Sequence, residues 1–379
     1  MKPSGSRGLH AAFRTANAAS FLFSTSQAFF LLLPVYLHQG GNSPAQIGLV
    51  AGLLRAGSLL ARPLGGRLLD RFGRRSVSAS GACLTILAIL SLFVFPRVGT
   101  PFLAMRILQG IGTSLVDSGL GTLVADLSPP AARAQVFGIY TAWMNLASAL
   151  MPGVGEAIAR RGGFFFLFGA AALAATGGLM VVRRLPETWR PRPEETRPVP
   201  GLLKGAAPLF LGGVVVGLAY GVLSVFVPVA RIAAAPGRAG MFFFAYFAGL
   251  IGVRLAGGLG LGWLARPRAL LPAYGMMAAG LAALPLGNSC VLLVSVGLVC
   301  GASHGVLMPV LYALLLFGTP RDRRGWPVAL LAAAFDLGNV FGAVGFGLVA
   351  EALGYRGIFA VAAAAVMAGA VASHLWGRG

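Results

Sequence analysis

Charge is scarce in this chain of 379 residues: Asp, Glu, Lys and Arg make up 11% of it, against roughly a quarter in an average soluble domain. Acidic residues are rarer still, with 10 against 30 Lys and Arg, and there are three cysteines and four histidines. With 57% hydrophobic residues, so little charge argues against a soluble globular domain. Cys83, Cys290 and Cys300 lie within or beside apolar runs at no metal-ligand spacing, which argues against a zinc site or a disulfide framework. No serine–histidine dyad, metal cluster or phosphate loop in a suitable context is legible, and the glycines lie in apolar runs, not strand-to-helix turns. The sequence therefore predicts a non-enzyme with no cofactor and no metal.

What is there is apolar sequence in long runs. Several exceed the roughly 18 residues that mark a membrane span, with short polar gaps between them. The pattern predicts an all-α integral membrane protein with spans at 13–37, 45–68, 76–96, 101–126, 135–158, 163–182, 206–229, 240–264, 269–287, 290–317, 327–350 and 357–376. The first apolar stretch, Ala16 to Leu37, is longer than the 7–15 residues of a signal-peptide core, so it reads as a retained helix. The longest polar gap, opening with Arg183-Arg184-Leu185-Pro186-Glu187-Thr188-Trp189, reads as a surface linker. It divides residues 1–182, a six-helix bundle, from residues 206–379, a second one, with 183–205 between.

The net charge of +20 would suggest a nucleic-acid partner in a soluble protein, but its distribution is topological. Of the Lys and Arg, 20 fall in the termini and loops of one side of the twelve spans and 6 on the other. By the positive-inside rule both termini and the linker are cytoplasmic, as in a multi-pass cell (inner) membrane protein. Membrane lipid is the implied surrounding, with no nucleic acid and no required protein partner.

The halves repeat. Arg62-Pro63-Leu64-Gly65-Gly66 matches Arg254-Leu255-Ala256-Gly257-Gly258, and Asn145, Gly153 and Gly163-Phe164-Phe165 match Asn339, Gly347 and Gly357-Ile358-Phe359. A duplicated six-helix unit places a solute site between the halves near the midplane. Gly65, Gly66, Gly257 and Gly258 read as close helix-packing residues.

Gly66-Arg67-Leu68-Leu69-Asp70-Arg71-Phe72-Gly73-Arg74-Arg75 follows the second span. It resembles the signature loop of the major facilitator superfamily (MFS), Gly-x-Leu-x-Asp-Arg-x-Gly-Arg-Lys, with Arg in the last place. Arg106-Ile107-Leu108-Gln109-Gly110 resembles the family's Arg-x-x-Gln-Gly element. Pro152-Gly153-Val154-Gly155 resembles part of its antiporter motif, Gly-Pro-x-x-Gly, with Met151 in place of the first glycine. The resemblance implies two pseudo-symmetric six-helix bundles, and a conformational latch of Gly66, Asp70, Arg71, Gly73, Arg74 and Asp126 in which Asp70 meets the start of helix eleven at Trp326-Pro327 and Arg74 meets Asp126. It also gives Arg106 a part in proton coupling and makes Pro152 and Gly155 antiporter-like elements.

Ionisable groups inside spans are costly and mark candidate sites. Arg62 and Asp336 lie at similar depth in helices that pack together in this family, which predicts an inter-half ion pair. Arg254 repeats Arg62, but the position matching Asp336 is Ala142. Arg254 then faces either an anionic substrate or ion, or an unrecognised acid or carbonyl. In helix four Arg106, Gln109, Thr113 and Asp117 share one face; Arg106 reads either as coupled to protons or as a buried cation on carbonyls, and Asp117 as free to titrate. Asn17, Ser20, Ser24 and Gln27 make a stripe on helix one, and His304, Met308 and Tyr312 one on helix ten. These two stripes and the helix-four face with Gln109 and Thr113 read as substrate-cavity lining, with His304 as either a proton carrier or a structural histidine. Glu156, four residues before Arg160, reads as half of an interfacial ion pair.

The resulting expectation is a secondary active transporter of a small molecule, coupled to protons, exporting an organic or amphiphilic compound. Proton-driven uptake of an organic anion or metabolite is the alternative, and a non-transporting receptor or scaffold is the alternative of another class.

Overall fold

The computed structural model describes residues 6–129, 133–189, 202–232, 238–258, 267–317 and 325–376. Residues 190–201 of the expected linker, 259–264 of the expected eighth span and the Trp326 side chain lie outside the described residues. Helix α1 runs Ser6–Phe29 and continues through a 3-10 turn into Leu33–Gln39. Then come α2 (Pro44–Phe72), α3 (Arg74–Val94) and α4 (Thr100–Leu127). Helices α5 and α6 are the two arms of the run Arg133–Val182. In the second half lie α7 (Leu202–Ile232), α8 (Arg238–Gly258), α9 (Leu270–Ala283) and α10 (Cys290–Leu316). Helix α11 is Gly325–Val340 with a π turn at Phe341–Gly345, and α12 is the later arm of Phe346–Trp376.

Among the described residues, eight helical runs are long and apolar enough to cross a membrane. Two of these, Gln135–Val182 and Pro327–Ser373, have 48 and 47 residues, or about 70 Å at 1.5 Å per residue, enough for two crossings each of a ~30 Å core. Counting both arms of each, with α4 and the short α9, gives the twelve expected segments. The arms meet at Gly163 (φ 80°, ψ 177°) and Gly354 (φ 67°, ψ 176°), a conformation that a Cβ would oppose. The sequence match pairs Gly163 with Gly357. The structure corrects this: the bend in the second half is three residues earlier, because backbone angle, not the flanking Phe, defines the corner.

The chain forms two compact units, residues 1–36 with 53–193, and residues 37–52 with 194–379. Unit 1 is built on α1 against the α5–α6 run and on α3 against α4. Half-buried Tyr36 packs on Phe164 and Phe168, both at 5.3 Å between ring centroids, while its hydroxyl donates to the Pro96 carbonyl at 2.7 Å. Unit 2 pairs α8 with α10, α7 with α11 and α12, and α9 with α10 and α12. The N-terminal end of α2 joins unit 2 because Gly48 lies directly on the backbone of Ala343, in the π turn, and Gly347 lies on Pro44.

Lipid tails give helices no hydrophobic reason to associate, so close packing and interhelical hydrogen bonds must do it. In unit 1 α2 and α4 touch backbone to backbone: a Cβ on Gly57 would run into the Ile107 carbonyl, and one on Gly110 into that of Leu54. Ser58 adds a hydrogen bond to the Gly110 carbonyl at 3.0 Å. The contact recurs in unit 2, where Gly249 lies on the Leu298 carbonyl and Gly301 on that of Tyr246. The expectation for Gly65 and Gly66 is corrected: a Cβ on Gly65 would make ordinary contacts beyond 3.5 Å, and one on Gly66 would meet nothing within 4 Å among the described residues. The tight crossing lies two turns earlier, at Gly57.

Gly110→Ala and Gly301→Ala should each destabilise the protein by about 1–3 kcal/mol through overpacking, read as a lower midpoint of thermal unfolding in detergent. Gly169→Ala, where a Cβ has open space, should leave the midpoint unchanged or slightly raised; equal losses at all three positions would contradict the packing assignment.

Candidate functional site

The basic loop is held by a carboxylate that pattern reading passed over. Gly73 caps α3 at φ 87° and ψ 163°, leaving the first N–H groups of the helix without intrahelical partners. Glu187 supplies acceptors: Oε1 accepts from the Arg74 N–H at 2.9 Å and Oε2 from the Arg75 N–H at 3.1 Å. A carboxylate there is also favoured by the helix dipole. The same Oε1 accepts from the N–H groups of Thr188 and Trp189, each at 3.0 Å, folding the chain after α6 around its own side chain.

The Arg74 guanidinium donates to Asp126 Oδ2 at 3.1 Å and to the Leu69 carbonyl at 2.9 Å, and lies 3.5 Å from Asp70 Oδ1. Thr188 donates to the same Asp126 oxygen at 3.0 Å, Trp189 Nε1 to the Asp70 carbonyl at 2.5 Å, and Arg75 to the Leu185 carbonyl at 3.4 Å. Gly66 and Arg71 are exposed, with the Arg71 guanidinium 5.2 Å from the Phe72 ring centroid. Residues 185–189 are thus a docked strap, where the sequence reads as surface linker; the correction follows from Glu187 finding two orphan N–H groups within reach.

A polar stripe runs through the apolar core of unit 1. Arg106 and Gln109 of α4 are 4% and 2% exposed, hydrogen-bonded to each other, and the Arg106 guanidinium sits 5.4 Å from the Phe30 ring centroid of α1. A buried cation is tolerated only where its donors and its charge are met, and here an amide oxygen and a ring face contribute. Arg55 of α2 acts on it electrostatically. Asp117, half-buried, lies near Tyr140 of α5, which in turn meets Ser20 of α1. Asn17, Ser20 and Ser24 are buried and Gln27 half-buried. Asn17 Oδ1 and Thr113 Oγ1 are buried with no hydrogen-bond partner among the described residues, which leaves both able to bind a solute. Pro152 and Gly155 are buried in α5, Gly155 against Phe29, Leu32 and Leu167. Glu156 is 5% exposed and takes part in an interaction, while Arg160 is exposed.

In unit 2 the structure gathers residues the sequence did not connect. His304 of α10 shares a 2.5 Å hydrogen bond between Nδ1 and the Tyr246 hydroxyl of α8. Tyr220 of α7 and Phe335 of α11 lie 5.8 Å and 5.6 Å from its ring. Arg254 is exposed and close enough to act electrostatically on both Tyr246 and His304. Met308 is buried and Tyr312 half-buried on the same helix as His304. Asp336 is 2% exposed, and both Asp336 and Arg62 take part in interactions.

A family model described as the Major Facilitator Superfamily matches residues 15–303. The chain belongs to the major facilitator superfamily. Its helices accordingly make it a multi-pass membrane protein with the MFS transporter fold. Among curated relatives, the quinolone resistance protein NorA of Staphylococcus aureus is 29% identical over 157 residues, 40% of this chain and 39% of that protein. The methylenomycin A resistance protein of Bacillus subtilis (strain 168) is 35% identical over 116 residues, 29% of this chain and 25% of that protein. The match thus spans two fifths or less of these relatives. Among solved structures, the xylose transporter XylE from E. coli in an inward-open conformation superposes with a TM-score of 0.77 at 16% identity, covering 97% of this chain and 96% of that one. The human organic anion transporter MFSD10 (TETRAN) gives 0.70 at 18% identity, covering 96% and 99%. At such identities the likeness establishes this MFS chain's fold.

Glu187→Ala removes the acceptor of four N–H groups, and hydrogen bonds to a charged group contribute about 1.5–3 kcal/mol each at most. The variant should unfold at a lower temperature than the parent and be cut faster by protease after residue 189. An unchanged midpoint and cleavage rate would contradict the docked strap.

Proposed function

We propose that this chain is a secondary active transporter in the cell (inner) membrane, with cytoplasmic termini, that exports a small organic or amphiphilic compound in exchange for protons by alternating access. The observation that carries the reading is the buried Arg106–Gln109 pair on Phe30, with Asp117 eleven residues on in the same helix. An arginine and a carboxylate inside spans are costly enough to require a function. Asp117 is the proton carrier in this scheme, and Arg106 holds the local field that changes when solute enters. Asn17 and Thr113 offer hydrogen-bonding groups to the solute. The resistance proteins among its relatives support export.

The second reading, proton-coupled uptake, has support from the named cargo of its structural neighbours, xylose for XylE and nucleosides for NupG. For an organic anion it rests on Arg254.

Proteoliposomes holding the purified chain and given a pH gradient distinguish the two. Exchange predicts that ethidium or norfloxacin accumulates in vesicles whose lumen is acidic. Asp117→Asn should abolish that accumulation, by tenfold or more in rate, on an intact fold. Accumulation driven only by an alkaline lumen would favour uptake, and unchanged accumulation in Asp117→Asn would remove Asp117 from the coupling.

A further inference from the structure

Helices α3 and α6 of unit 1 lie antiparallel and in contact at both ends. At one end the Phe93 and Phe165 rings meet at 4.7 Å between centroids. At the other the Arg75 guanidinium donates to the Leu185 carbonyl, just past α6, at 3.4 Å. Between these contacts each helix turns an apolar stripe outward. On α3 it is Leu87, Leu90 and Val94, 56%, 48% and 68% exposed; on α6 it is Phe166, Leu173 and Met180, 61%, 74% and 60% exposed. Both sets recur at helical spacing, and in a multi-pass membrane protein such a double track faces acyl chains.

Both tracks turn polar at the same end. The α3 stripe continues through exposed Ser80 and Ser76, with Ser76 about 16 Å from Leu87 along the axis. The α6 stripe leads past Met180 into the closing turn of the helix, where Arg183 and Arg184 are both exposed. Arg75, also exposed, arrives at this corner from α3, tied to the residue that follows Arg184.

A helix C-terminus favours a nearby cation, which accounts for Arg183 or Arg184 but not for a guanidinium brought in from α3. The carboxylates described nearby are committed elsewhere. Glu187 accepts from the N–H groups of residues 74, 75, 188 and 189, and Asp70 and Asp126 lie on Arg74. Residues 190–201 carry three Arg and two Glu, so the chain that follows adds no net negative charge. An anionic head group complements such a corner, and basic pockets at a membrane surface bind such head groups.

We propose that the α3–α6 face holds an anionic phospholipid of the leaflet next to the basic loop, with its phosphate between Arg75 and Arg184 and its acyl chains along the two tracks. A guanidinium presents five N–H donors, so the bond to Leu185 leaves Arg75 with donors for phosphate oxygens. A zwitterionic head group fits less well, because its ammonium stands among arginines. Lipid bound there ties the start of α3 to the end of α6 and holds the strap at 185–189 in place. The inference does not depend on which solute the chain carries.

The test is native mass spectrometry of the delipidated full chain in detergent, titrated with phosphatidylglycerol and phosphatidylcholine of identical acyl chains. Each basic residue at a membrane surface adds about fivefold in affinity, so the first phosphatidylglycerol should bind roughly tenfold or more tighter than phosphatidylcholine. Arg75→Gln with Arg184→Gln should bring the two lipids to within about threefold of each other. Arg160→Gln with Arg161→Gln removes the same charge from exposed positions at the start of the α5–α6 corner and should leave the preference intact. Should the first pair lower the parent's unfolding midpoint, Arg183→Gln with Arg184→Gln replaces it and keeps the Arg75–Leu185 bond. Phosphatidylglycerol should also slow proteolysis after residue 189 in the parent and not in the arginine variant.

Equal binding of the two lipids by the parent, or a preference retained in the stably folded arginine variant, overturns the proposal. So does displacement of phosphatidylglycerol by millimolar inorganic phosphate, which would make the corner a bare anion site with no use for the apolar tracks. Tight binding with unchanged proteolysis overturns the hold on the strap.

Discussion

Inside a bilayer a backbone N–H or C=O has no water to turn to, and the structure is organised by that constraint. It forces helices, and it removes the hydrophobic drive that would bring them together, so the helices approach until backbone meets backbone. Gly57 and Gly110 in unit 1, and Gly249 and Gly301 in unit 2, allow that approach at equivalent crossings. Larger residues there would separate the helices that carry Arg106 in one unit and Tyr246 and His304 in the other. The glycine crossings therefore set the distances on which both polar sites depend.

The same constraint acts at helix ends. Where α3 begins, its free N–H groups are met by Glu187 from a segment more than a hundred residues away. That choice ties the basic loop, Asp126 and the end of α6 into one network, in which Arg74 satisfies two carboxylates and a carbonyl. A network of this kind resists piecemeal change, because removing any member leaves the rest with unmatched charge.

Much of the fold is legible in the sequence because its signals are local. Apolar run length gives the spans, and the loop from Gly66 to Arg75 points to the family. What is not legible depends on contacts between distant segments. Nothing in residues 183–205 marks Glu187 as a helix cap, since the cap is defined by the helix it meets. His304 is visible as a lone histidine, but its neighbours Tyr220, Tyr246 and Phe335 come from three other helices and look like ordinary apolar content. The glycine bends were half visible: repeat matching finds Gly163 but selects Gly357, because residue identity does not report the angle that Gly354 adopts.

The central claim is that solute and proton move in opposite directions through this chain. Reciprocity of coupling allows it to be read from the proton side with no imposed pH gradient. Proteoliposomes loaded with norfloxacin and a lumenal pH dye, then diluted into solute-free buffer, should acidify inside as solute leaves, and Asp117→Asn vesicles should not. A lumen that stays at constant pH, or turns alkaline while solute leaves, would contradict exchange.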